Sequence, residues 1–90
     1  MPQVIVDSEG LRAFATTLKR EGAALREHQR AVEASRRELA QIWKDARYTG
    51  FERVYLPTVS ALERFCKVAD AYADYLRHKA EKVDQYLGRR

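Results

Sequence analysis

The second half of the chain carries the feature that most constrains its fold, an apolar repeat that keeps its phase over about five heptads. Its members alternate in steps of four and three, the spacing of a helix that packs one face against another helix. Such a helix is not stable with that face in water. The repeat consists of Phe51, Tyr55, Thr58, Leu62, Phe65, Ala69, Tyr72, Leu76, Lys79, Val83 and Tyr86.

The first half carries a similar repeat and a recognisable helix start. Asp7 is suited to cap the free amides, Glu9 favours the positive end of the helix dipole, and Val6 can pack on Leu11. These signals predict a first helix over about 8–45. The repeat has an apolar column, called a, and a half-polar column, called d: Leu11, Leu18, Leu25, Val32 and Leu39 in a, and Phe14, Glu21, His28, Ser35 and Ile42 in d.

The connection between the two repeats is short, at about 46–50, and a short connection predicts antiparallel helices. We expect the second helix over about 51–87, with a kink on its outer face near Pro57 and a stop at Gly88. The sequence therefore predicts an all-α fold, an antiparallel two-helix hairpin. It forms a single domain over residues 1–90.

Two registers of this hairpin fit the sequence. A turn centred on Tyr48-Thr49 places Leu25 opposite Tyr72, whereas a turn centred on Asp45 shifts the pairing by one heptad. The residues predicted for the core are Leu18, Leu25, Val32, Leu39, Tyr55, Leu62, Phe65, Tyr72 and Leu76.

The second helix is apolar on a wider face than one neighbour covers, because columns e and g beside its seam are also apolar or small. Column e holds Val59, Cys66, Ala73, Ala80 and Leu87, and column g holds Val54, Ala61, Val68 and Tyr75. Two hairpins in a four-helix bundle would cover both columns, so we expect a homodimer or a heterodimer with a related hairpin. The alternative is a set of scattered exposed apolar residues.

Aromatic residues concentrate at the turn, over 43–51. We interpret Trp43, Tyr48 and Phe51 as a plug that closes the end of the hairpin, with Asp45 capping the second helix. The same end can serve as a contact for a partner, since Trp and Tyr concentrate binding energy at interfaces. The residues predicted to bind a partner are Trp43, Tyr48, Val54, Val59, Val68, Tyr75 and Leu87.

The sequence offers no pattern for catalysis, cofactor binding or metal binding. His28 and His78 lack zinc-ligand spacing, Cys66 has no second thiol, and Asp70 and Asp74 are interpreted as solvated charges one helical turn apart. We expect His28 to be a polar residue of the seam and Cys66 to be a small buried hydrophobe. The prediction is a non-catalytic protein.

The formal net charge of +4 is spread among acids at helical spacing, as in Glu33 with Arg37. We therefore expect a solvated helix face and no nucleic-acid partner, although weak nucleic-acid binding is an alternative. The chain shows no signal peptide and no membrane span. The expected location is the cytoplasm, with export by a signal-peptide-independent route as the alternative.

Two antiparallel heptad helices of this length, with Trp43 at the end of the first, resemble the WXG family, the ESAT-like small proteins associated with type VII secretion. The motif reads Trp43-Lys44-Asp45, so an aspartate stands in place of the family's glycine. Of the family's Tyr-x-x-x-Asp/Glu export spacing, only Tyr48 with Glu52 is present, at the turn.

The resemblance implies a dimeric four-helix bundle that acts as a secreted factor, or as an export adaptor or chaperone for a larger toxin-like partner. The alternative is a structural assembly subunit that builds a needle or filament.

Overall fold

The computed structural model describes residues 7–88 and shows two helices joined by a short turn. Helix α1 runs over Ser8–Ala40 and helix α2 over Ala46–Tyr86. The helices pack against each other in antiparallel directions, and no strand is present among the described residues. The predicted all-α helical hairpin is confirmed.

The signals that start and end the helices act as the sequence predicts. The Asp7 carboxylate accepts a hydrogen bond from the Glu9 amide at 3.1 Å. After Tyr86, Gly88 takes a φ of +72°, a left-handed conformation that suits glycine and ends the helix. The predicted contact of Val6 with Leu11 lies outside the described residues.

The turn lies about five residues earlier than predicted. α1 ends at Ala40, and residues 46–50, predicted as the turn, form the first turn of α2. The reason is Asp45, whose extended backbone precedes the helix and whose carboxylate accepts hydrogen bonds from the amides of Arg47 and Tyr48. α2 then continues through Pro57, which is exposed.

The contacts between the helices settle the register. Cys66 Sγ lies 3.7 Å from the carbonyl oxygen of Gly22, and Tyr55 Oη lies 2.9 Å from a carboxylate oxygen of Glu33. These pairs are incompatible with a turn centred on Tyr48-Thr49. They agree to within about two residues with the turn centred on Asp45.

The centre of the hairpin is a seam of small residues. They lie mainly in column e, at heptad spacing on both helices, and they let the two backbones approach closely. Between them the helices bury Cys66 to 1% exposure and Ala73 completely. The buried members of this small-residue seam are Ser8, Ala15, Gly22, Cys66, Ala69, Ala73 and Ala80.

This arrangement corrects four of the predicted core residues. Val32, Leu39, Phe65 and Tyr72 are exposed in the hairpin, the last two by 50% and 58%. Phe65 and Tyr72 lie in column d, which turns toward solvent because the helices meet through columns a and e over most of their length. His28, predicted in the seam, is exposed for the same reason. Val32 and Leu39 lie in column a near the turn, where Glu33 and Arg36 make the contacts with α2 instead. The other predicted core residues are half-buried between the helices: Leu18, Leu25, Tyr55, Leu62 and Leu76.

Ion pairs join the helices along one edge of the hairpin. Arg12 contacts Asp84 at 2.6 Å, and Arg26 contacts Asp70 at 3.1 Å. Lys19 lies 3.3 Å from Asp74. Asp74, interpreted from the sequence as a solvated charge, is exposed, whereas Asp70 is half-buried between its two basic partners. Exposed pairs of this kind contribute little stability each.

We expect Ala73→Leu to destabilise the hairpin by about 1–3 kcal/mol, because the extra methyl groups have no room in the small-residue seam. Chemical denaturation measures the free energy of unfolding at one fixed protein concentration. Ala13→Leu, at an exposed position of α1, is the matched control and should change stability little. Equal effects of the two substitutions would contradict the seam.

We expect Gly22→Ala to stabilise the chain by about 0.5–1 kcal/mol, since alanine is the better helix former and a Cβ at Gly22 would meet no atom within 4 Å. Thermal unfolding followed by circular dichroism checks this. A fall in the melting temperature would show that α2 leaves no room for a methyl group at this position.

Candidate interaction surface

Column d of both helices lies on the same side of the hairpin. The helices are antiparallel and both use columns a and e for their contact, so the neighbouring column d projects from the same face of each. The ion-paired edge lies on the opposite side, since Arg12, Lys19 and Arg26 each directly follow a column a residue of α1. The ion pairs and the exposed apolar residues of α2 therefore lie mainly on opposite sides of the hairpin.

The apolar face consists of ten of the large hydrophobic side chains that the hairpin leaves exposed. Three others lie elsewhere: Leu56 on the ion-paired side, and Ile42 and Leu87 beyond the helix ends. The residues of the apolar face come mostly from α2, whose columns d and g are apolar over residues 51–75 except for Thr58. Tyr72 and Tyr75 meet edge to face at 6.3 Å between ring centroids. The face comprises Phe14, Val32, Leu39, Phe51, Val54, Phe65, Val68, Tyr72, Tyr75 and Tyr86.

Three of the residues predicted to bind a partner lie on this face: Val54, Val68 and Tyr75, with exposures of 69%, 50% and 55%. Leu87 is exposed at the end of α2. Val59 is half-buried. The prediction of column e as a free stripe is wrong, because column e of α2 is largely covered by α1; columns d and g form the free stripe.

The aromatic plug predicted at the turn is confirmed. Trp43 meets Tyr48 edge to face at 5.2 Å, Tyr48 lies 6.4 Å from Phe51, and Phe51 stacks on Tyr55 at 5.3 Å. Trp43 is half-buried in this row, so part of its ring stays accessible. Tyr48, predicted as a partner contact, is instead an internal residue with 7% exposure.

Below the plug lies a polar tip cluster of Glu33, Arg36, Tyr48, Glu52 and Tyr55. The Arg36 guanidinium donates two hydrogen bonds to the Glu33 carboxylate, at 2.8 and 2.9 Å. It also donates to Tyr48 Oη at 2.8 Å and to Glu52 at 3.2 Å. Arg36 therefore links the end of α1 to the start of α2. The two residues with the Tyr-x-x-x-Asp/Glu spacing, Tyr48 and Glu52, both accept hydrogen bonds from it.

The tip cluster shifts the protonation of its members. Hydrogen bonds from Arg36, Tyr55 and Arg37 lower the pKa of Glu33 from 4.5 to about 2. The bonds to Glu33 and Tyr48 raise the pKa of Arg36 further above its usual value. Beside the cluster, hydrogen bonds from Trp43 and the Tyr48 amide lower the pKa of Asp45. Each shift follows from a charged form that accepts or donates several hydrogen bonds.

Sequence reasoning missed this cluster because Glu33 and Arg37 were interpreted as a surface pair within one helix. That pair does form, at 2.9 Å. The sequence feature that could have revealed the cluster is Arg36. It shares column e with Ala15 and Gly22, so it faces α2 of the same hairpin.

Other kinds of site find no support in the part of the chain that the structure describes. No group of three or more His, Cys, Asp or Glu side chains in residues 7–88 is placed to hold a metal ion. Over the same range, neither helix has the length and apolarity that crossing a membrane requires. In comparisons with known proteins, the chain matches no family model, no curated protein and no solved structure.

We expect the tip cluster to make stability depend on acid pH through Glu33. Its pKa is lower in the folded chain, so its stabilising effect is present above about pH 4.5 and is lost as the pH falls toward 2. Melting temperatures of the wild type and Glu33→Gln should therefore differ most at neutral pH and converge over that range. Glu38→Gln, exposed on the same helix, is the control and should show no such convergence. A difference that stayed constant with pH would contradict this role.

Proposed function

We propose that this chain is a non-catalytic protein–protein interaction module whose apolar face packs against the helices of a related hairpin, forming a four-helix bundle. The observation that carries the proposal is the exposed apolar stripe of columns d and g over residues 51–75 of α2, which α1 does not cover. The module works by burying this stripe against a partner.

The energy available from the apolar face supports a stable complex. Burial of one large apolar side chain contributes roughly 1.5–3 kcal/mol, and the face carries several such side chains in a continuous row. The hairpin measures 63 by 28 Å across its broad side. A partner that covered half of this area would bury about 900 Å² on each chain, the size of a standard specific interface.

The charge distribution supports one binding face and one solvated face. Arg12, Lys19 and Arg26 pair with aspartates of α2 on the ion-paired edge. Their charges keep that edge hydrated, because stripping water from an ion pair costs more than the pair returns. A helical partner therefore approaches from the side of Phe65 and Tyr72.

The architecture and the position of Trp43 are consistent with a WXG-like role. In this proposal the bundle is a secreted factor, or an export adaptor or chaperone for a larger toxin-like partner. In this proposal such a partner binds to the accessible part of Trp43, at the end of the hairpin.

Co-expression with each protein encoded beside this chain in its genome tests the proposal. We expect a helical neighbour to co-purify with the wild type and to be lost with Tyr72→Glu, which places a charge in the apolar face. Ser60→Glu adds the same charge to the exposed outer side of α2 and should retain the partner. If the Tyr72→Glu variant binds the same proteins as the wild type and self-associates to the same extent, the proposal that the apolar face is a binding surface is wrong.

A further inference from the structure

The exposed column d of α2 reads almost the same in both directions. From the start of the helix its members are aromatic, polar and aromatic, and toward the end they are again aromatic, polar and aromatic. The order is Phe51, Thr58, Phe65, Tyr72, Lys79 and Tyr86. The midpoint of this sequence lies between residues 68 and 69.

A second copy of α2 laid antiparallel across this midpoint matches the column to itself. Phe65 then lies opposite Tyr72 of the second copy, Phe51 opposite its Tyr86, and Thr58 opposite its Lys79. Every aromatic ring meets an aromatic ring, and the one charge of the column meets a hydroxyl group. A parallel pair would instead place Lys79 against Lys79 of the second copy, a like-charge contact.

Column g fits the same arrangement. Antiparallel helices place equivalent columns side by side, so column g of one copy meets column g of the other. Val68, which is half exposed, lies on the two-fold axis against its own equivalent. Ala61 lies opposite Tyr75 of the second copy, a small residue facing a large one, which allows close packing. Val54 lies opposite Lys82 of the second copy, whose aliphatic stem can cover the valine while its ammonium group stays in water.

We propose that the apolar face is the interface of an antiparallel homodimer, in which α2 packs on α2 of a second copy with Val68 on the two-fold axis. This inference rests on the proposed function and specifies its partner. It follows from the self-complementary order of column d, which a face built for an unrelated helix would not need.

Sedimentation equilibrium of the purified chain at tens of micromolar tests the homodimer. We expect the mass of two chains for the wild type. Val68→Asp should raise the dimer dissociation constant at least about tenfold, because two carboxylates then face each other on the axis. Ser60→Asp, on the outer side of α2, should leave it unchanged. Circular dichroism checks that both variants keep their helices.

Disulfide trapping tests the direction of the helices. In a Cys66→Ser background, whose hydroxyl can still donate to the Gly22 carbonyl, one chain carries Phe65→Cys and another carries Tyr72→Cys. Under mild oxidation the antiparallel dimer predicts a mixed disulfide between the two chains. Disulfides between two Phe65→Cys chains require a parallel dimer, since antiparallel packing separates these positions by about seven residues, or about 10 Å along the axis.

The outcomes separate this inference from the proposed function. A dimer with the mixed disulfide supports the antiparallel homodimer. A wild-type monomer, or disulfides confined to like positions, overturns it. The interaction module still stands after a monomeric result if a co-expressed neighbour is held by the wild type and lost with Tyr72→Glu.

Discussion

The close contact of two helices along a seam of small residues determines the rest of this structure. Serine, alanine, glycine and cysteine side chains in column e allow the backbones of α1 and α2 to approach, and Ala73 and Cys66 are buried as a result. The same contact rotates both helices so that column d faces outward. The apolar face is therefore a consequence of which residues are small, as much as of which residues are large.

Periodicity was sufficient to predict the two helices, their caps at Asp7 and Asp45 and their antiparallel arrangement, because these depend on local sequence. It was not sufficient to predict which columns meet. A heptad repeat has the same period whichever pair of adjacent columns forms the contact, and the choice depends on how side-chain sizes on both helices combine. Large residues such as Phe65 and Tyr72 were assigned to the core, whereas the helices closed on Gly22 and Ala73.

The candidate surface could be predicted in part. Val54, Val68 and Tyr75 are exposed as expected because column g lies far from either side of the contact. Tyr48 was misplaced because its environment depends on Arg36, twelve positions away, whose hydrogen bond closes the turn. Contacts between side chains from different helices carry no periodic signal, so the tip cluster emerges only once the register is known.

The hairpin is only 13 Å thick, a single layer of two helices. A single layer has no interior apart from the contact between its helices, so in the proposed bundle the surface that the partner covers would form the larger part of the hydrophobic core. Folding and assembly would then share the same free energy, and mass action would link them. The concentration of the proposed partner would thus become one of the determinants of how well each copy holds its shape.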